Sequence, residues 1–202
     1  GVIMSGGGAR AAYQVGVLKA VARILPAKSP NPFAIICGSS AGAINAASLA
    51  VYANNFQQAV RRMEHVWGNF HVQQVFRTDT RGMLHNWARW LAALTLGGMG
   101  KNNPTSLFDR QPLVQLLTRY LPCERIQAAI DAGWLRALSI SVSGYTSGQS
   151  VSFYQGAPEI TPWKRATRIG CPATITIDHL MASSAIPFVF DAVKINREYF
   201  GD

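Results

Sequence analysis

Phe33-Ala34-Ile35-Ile36-Cys37-Gly38-Ser39-Ser40-Ala41-Gly42-Ala43-Ile44-Asn45-Ala46-Ala47-Ser48-Leu49-Ala50 decides the fold. Phe33 to Cys37 is an apolar run of strand length, and the apolar run from Ala43 to about Ala53 is long enough for a helix. Between them Gly38, Ser39, Ser40, Ala41 and Gly42 read G-x-S-x-G, a sharp strand-to-helix turn whose flanking positions must be small. Such a turn pushes the central Ser40 out of the sheet edge. The helix that follows aims its N-terminus at that hydroxyl, where its dipole and unpaired N–H groups favour developing negative charge. A purely steric reading stands beside this one: small residues also let a strand meet a helix closely.

Upstream, Gly1 to Ser5 reads as a buried strand cut short, followed by Gly6, Gly7 and Gly8 and then a helix to about Leu25. Leu18, Val21, Ala22 and Leu25 in that helix follow the i, i+3, i+4, i+7 rule. Pro26, Pro30 and Pro32 mark a loop before the next strand. Strand, helix, strand, helix over the first 53 residues is a βαβ unit with a parallel sheet. The glycine triplet admits two readings. Gly6, Gly8 and Ala11 fit G-x-G-x-x-A, the dinucleotide fingerprint, which needs an acidic residue about 20 positions on. The first acid in the chain is Glu64, so only a 2′-phosphorylated cofactor or another phosphate would suit. Alternatively, successive glycine N–H groups form an oxyanion hole facing Ser40 across the crevice between neighbouring strands.

Downstream, a helix is predicted over about Phe56 to Trp67, and another from near Pro112 carrying Leu113, Leu116, Leu117 and Tyr120. A short helix ends near Gly133. Leu138, Ile140 and Val142 alternate with serines, and Val151 and Phe153 continue the alternation after a Gly144–Gly148 turn, which predicts a hairpin. A last helix, about Thr176 to Ala185, stops before Pro187. Phe188 to Asp202 is extended with a turn near Asn196–Arg197.

Composition narrows the partners. The chain has 202 residues, 49% hydrophobic and 14% charged, with 19 basic and 10 acidic residues for a net charge of +9. One domain of this length buries a sizeable core. The charge favours anionic partners, but the basic residues are scattered and no zinc-finger spacing, basic helix or RNP-type motif occurs, which argues against nucleic acid. Cys37, Cys123 and Cys171 are odd in number and lack C-x-x-C, so neither a disulfide framework nor a metal site is indicated. No 18-residue apolar run reads as a membrane span. A start at Gly1 and an end at Asp202 read as an excerpt of a longer chain.

Four ordered blocks carry a resemblance. Gly-Gly-Gly-Ala-Arg (6–10) runs into Tyr13-Gln14-Val15-Gly16-Val17-Leu18. Gly-Ser-Ser-Ala-Gly (38–42) follows. Then come Asp178-His179-Leu180-Met181-Ala182-Ser183-Ser184-Ala185-Ile186-Pro187 and the final Gly201-Asp202. Together they resemble the patatin-like phospholipase family, in its bacterial form, over residues 2–202. The resemblance implies a single three-layer α/β/α domain with a central, mainly parallel sheet and a serine nucleophile elbow. It implies a Ser–Asp dyad, Ser40 the nucleophile and Asp202 the base, with Gly6, Gly7, Gly8, Ala9 and Arg10 framing the oxyanion hole. It implies a lipid acyl hydrolase of phospholipase A or lysophospholipase type, needing no cofactor or metal. Its setting would be the bacterial cytoplasm or a peripheral membrane site, with export left open. Ala11 stands where the family usually has glycine, and Phe188-Val189-Phe190-Asp191 lacks the prolines often found there.

The residues can be asked independently for a base. An α/β-hydrolase orders its triad Ser, acid, His, but no histidine follows the last acids here. His65, His71 and His85 lie on a helix or in the middle region, and His179 directly follows Asp178. A carboxylate base fits better. Asp202 stands out among the ten acids because it follows Gly201 at the end of an extended segment. Residues 68–106 hold Trp87, Arg89, Trp90, Leu91, Leu94 and Leu96, which suit either a lipid-touching flap or a helix packed on the core. Three functions therefore stand: a serine acyl hydrolase on lipid esters, a lipid-binding module that keeps the elbow without catalysis, and an NADP or phosphate site on Gly6–Gly8.

Overall fold

A computed structural model describes residues 1–69, 110–187 and 189–202. The proposed flap at 68–106 lies almost wholly outside them, as do His71, His85, Asp79, Asp109 and Phe188. The described elements run β1 (Val2–Met4), a 3-10 turn (Gly8–Arg10), α1 (Ala11–Ile24), β2 (Ile35–Ser39), α2 (Ala41–Val51) and α3 (Phe56–Gly68). After residue 109 come α4 (Gln111–Tyr120), α5 (Arg125–Asp131), β3 (Ala137–Gly144), β4 (Ser150–Gly156), β5 (Trp163–Arg165), β6 (Arg168–Pro172), α6 (Ile177–Ser183), β7 (Val193–Ile195) and β8 (Glu198–Gly201).

The strands form one sheet in the order β1-β2-β3-β4-β6-β5, with β8 on β3 and β7 on β8. β1, β2 and β3 run parallel, as the βαβ reading requires, with Met4 opposite Gly38 and Gly38 opposite Ile140. The antiparallel β3–β4 hairpin and the β7–β8 hairpin extend this parallel centre into a mixed sheet. β5 and β6 are not foreshadowed by any periodicity: all three residues of β5 are exposed on an edge.

Period-two alternation puts Met4, Ile36, Ile140, Val142, Val151 and Phe153 on one face, where they join the core. α2 packs on β1, β2 and β3, and α6 packs on β3. α2 is buried nearly all round, which its alanines permit: Ala43, Ala46, Ala47 and Ala50 let it lie close to the strands. α1 packs on α3 and turns only Ala11, Val15 and Leu18 fully inward. No helix among the described residues is long and apolar enough to cross a membrane.

Candidate active site

Ser40 sits between β2 and α2 with φ 52° and ψ −131°. A non-glycine residue with positive φ is sparsely populated, and such a conformation costs of order 1–3 kcal/mol unless its surroundings hold it. The surroundings here are specific. Ser40 N–H donates to Ser183 Oγ at 2.8 Å, and Ser183 Oγ donates to the Ser141 carbonyl at 2.6 Å. The elbow is thus tied to α6 and β3 at once.

The small residues are dictated by contact. A Cβ on Gly38 would stand 2.7 Å from Ala43 Cα, and one on Gly42 would run into the Met4 and Ser5 carbonyls. Gly6 passes so close to the elbow that a Cβ there would lie 2.9 Å from Ser40 Cβ. Ser39 and Ala41 complete the turn, Ser39 as the last residue of β2 and Ala41 as the first of α2. The steric reading of the G-x-S-x-G stretch is therefore correct as far as it goes, but it does not account for the strained Ser40.

The glycine loop reaches the same place. Gly8 and Ala9 line a cavity together with Ser40. Gly7 has φ 143° and Gly8 φ 55°. The Gly6 N–H donates to Ser39 Oγ at 3.1 Å, and the Arg10 N–H to the Gly7 carbonyl at 3.1 Å. Among the described residues the N–H groups of Gly7, Gly8 and Ala9 have no acceptor. The first-turn N–H groups of α2, those of Ala41 and Gly42, have none within their helix. Asn45, 1% exposed, fixes the loop's helix against α2. Its Nδ2 donates to the Ala11 carbonyl (3.0 Å) and Gln14 Oε1 (3.1 Å), while its Oδ1 accepts from Trp67 Nε1 (2.9 Å).

Asp202 is exposed and follows Gly201, which pairs with Ser143 two residues beyond the Ser141 that faces Ser39. Its N–H donates to the Ala185 carbonyl at 3.0 Å. The last residue of α6 therefore holds Ser40 through Ser183, and the segment just after it holds Asp202 through Ala185. No hydrogen bond joins Ser40 Oγ to the Asp202 carboxylate. Tyr145 has its phenol pushed up by desolvation and, second, by the charge of Asp202.

His179 is a structural residue. Its ring is buried against Phe153, and its Nδ1 accepts from the Thr176 N–H at 3.1 Å and contacts Thr176 Oγ1 at 2.9 Å. Burial holds it below the usual histidine range, against a smaller upward effect of Asp178. The three cysteines are unpaired. Burial raises Cys37, and burial with the neighbouring Glu124 pushes Cys123 up to about 11.

The cavity has a volume of about 340 Å³ and an almost wholly apolar wall. Ile44, Met63, Leu113, Leu117 and Phe190 contribute to it. Sequence reasoning missed both the cavity and the role of Ser183. The cavity gathers residues from the elbow, α3, α4 and the segment after α6, and no local pattern announces that meeting. Ser183 could have been suspected from its place in a serine pair at the end of an otherwise apolar helix. A polar groove adjoins the cavity, lined by Gln58, Arg61, Arg62, His65 and Tyr120.

No curated protein matches the chain. A family model described as patatin-like phospholipase matches residues 2–202. The strained serine elbow, the glycine loop beside it and the apolar cavity suit the lipid hydrolase chemistry of that family. The chain belongs to the patatin-like phospholipase family.

Proposed function

We propose that the protein hydrolyses carboxylic esters of lipids, phospholipids among them, through an acyl-enzyme on Ser40 with Asp202 as the base. The observation that carries this reading is Ser40 itself, held at positive φ at the N-terminus of α2 and opening on an apolar cavity. Ser40 Oγ attacks the ester carbonyl carbon while its proton passes to Asp202. The C–O bond to the alcohol then breaks, and Asp202 returns the proton to the leaving oxygen. Water attacks the acyl-enzyme, Asp202 takes its proton, and the fatty acid leaves as Ser40 regains its hydrogen.

The oxyanion of both tetrahedral intermediates needs preorganised donors, each worth about 2.7–4 kcal/mol. Gly7, Gly8 and Ala9 supply N–H groups with no other acceptor among the described residues. Gly6 and Arg10 support the loop instead, since their N–H groups are engaged within it and with Ser39. In the absence of a Ser40–Asp202 hydrogen bond, substrate closes the pair up, as catalytic contacts often tighten only in the loaded enzyme. A net charge of +9 favours peripheral contact with an anionic bilayer.

The test is fatty-acid release from phosphatidylglycerol and phosphatidylcholine vesicles. The native chain is expected to release fatty acid, faster from the anionic vesicles at low salt, and Ser40→Ala is expected to abolish release. Folded native protein that binds vesicles and releases nothing would favour the binding-module reading.

A further inference from the structure

The cavity that Ser40 opens on follows one face of α2. Ser40, Ile44, Ser48 and Tyr52, spaced four residues apart, all line it. Twelve helical steps carry it roughly 18 Å from Ser40 to Tyr52. An all-trans alkyl chain advances about 1.25 Å per carbon, given C–C bonds of about 1.5 Å, so this length takes roughly 14 carbons. Half of the ~30 Å hydrocarbon core of a bilayer is about 15 Å, so the span matches a membrane acyl chain and far exceeds a short ester.

Tyr52 is the last residue of this run along α2 and is held from three sides. It is 5% exposed, and its hydroxyl donates to the Tyr120 carbonyl at 3.2 Å. The Arg62 guanidinium lies 4.6 Å and that of Arg125 5.0 Å from its ring centroid. Neither arginine has a carboxylate partner among the described residues, so the ring face is their counterpart. Arg62 and Tyr120 also border the polar groove with Arg61 and His65. A chain running past Tyr52 would therefore displace a clamped ring and put its methyl end among cations.

We propose that Tyr52, clamped by Arg62 and Arg125, sets the length of acyl chain that this protein accepts, with an upper limit near 14 carbons. The proposal rests on the reading of Ser40 as the residue that attacks the ester, which fixes the near end of the chain.

The test is the binding of saturated fatty acids of 8 to 20 carbons to the whole chain, by displacement of a fluorescent fatty acid. Burying a methylene is worth about 0.8 kcal/mol, so native affinity is expected to rise about fourfold per carbon and then level off near 14. Tyr52→Ala is expected to continue the rise past that point. Ser48→Leu, one turn before Tyr52, is expected to end it several carbons earlier, and it decides the matter should Tyr52→Ala fail to fold. No binding, a rise without a plateau in the native chain, or the same plateau in native and variant chains would overturn the proposal. Hydrolysis without a plateau overturns the length limit alone. The predicted plateau in a protein that cleaves no ester overturns the hydrolase reading alone.

Discussion

Ser183 Oγ accepts the Ser40 N–H at 2.8 Å and donates to the Ser141 carbonyl at 2.6 Å, with Ser183 fully buried. One hydroxyl thus links the elbow to the neighbouring strand, 143 residues away in the chain from the serine it steadies. Ser183→Ala strands a buried donor and a buried acceptor. Each costs about 1–3 kcal/mol, so a loss of about 2–6 kcal/mol is expected in urea unfolding. Ser40 also loses the contact that holds its positive φ. Ester hydrolysis should fall at least tenfold at a temperature where the variant is still folded. A Ser183→Ala protein of native stability would contradict this.

The glycines divide into those that contact requires and those that it does not. Gly42→Ala puts a methyl into the Met4 and Ser5 carbonyls. It should cost more than about 3 kcal/mol, beyond ordinary surface substitutions, and deplete soluble protein. Gly16 lies inside α1 with open space around its missing Cβ and no positive φ. Gly16→Ala should therefore stabilise by about 0.5–1 kcal/mol. Thermal unfolding of the two variants side by side checks both signs.

Asn45 joins α1, α2 and α3 through one carboxamide. Asn45→Ala removes the hydrogen bonds to the Ala11 carbonyl, Gln14 Oε1 and Trp67 Nε1 and should cost about 2–3 kcal/mol. Because α1 carries the glycine loop at its start, the Ser40 site should loosen with it. Faster amide exchange is expected at Gly6 and Arg10, whose N–H groups are held by Ser39 Oγ and the Gly7 carbonyl. Unchanged exchange in that loop would separate Asn45 from the site.

Stability should fall on mild acidification. Burial depresses the His179 pKa in the folded chain, so the unfolded chain binds more protons between that value and the ordinary histidine range near 6.5. The stability slope with pH is then positive in that window. Protonating Nδ1 would also break its acceptance of the Thr176 N–H. Urea midpoints measured from pH 7.5 down to 5 should drop in the native chain and drop less in His179→Gln. Parallel curves would show that another group titrates.

Much of this was legible from local chemistry. The Gly38–Gly42 stretch foretells a strand, a turn and a helix because only small residues survive its contacts. The serine alternation in β3 foretells a strand with one buried face, and Ser39, Ser141 and Ser152 do lie on the other. β2 begins at Ile35 rather than Phe33, because the Asn31 side chain takes up both the N–H and the carbonyl of Phe33. α2 begins at Ala41 rather than Ala43, since Ser40 itself occupies the capping position. The β5–β6 pair was not legible because an exposed edge strand carries no alternation. The Tyr52 clamp was not either, because Arg62 and Arg125 meet it from different helices and only the tertiary fold brings them together.

The most direct measurement is the rate at which a fluorophosphonate modifies the folded chain, with the adduct mapped by peptide mass spectrometry. A single adduct on Ser40 is expected in the native protein, with at least a hundredfold slower labelling in Asp202→Asn, within the range by which general-base assistance speeds such steps. An adduct elsewhere, or Ser40 labelling that Asp202→Asn leaves unchanged, would contradict it.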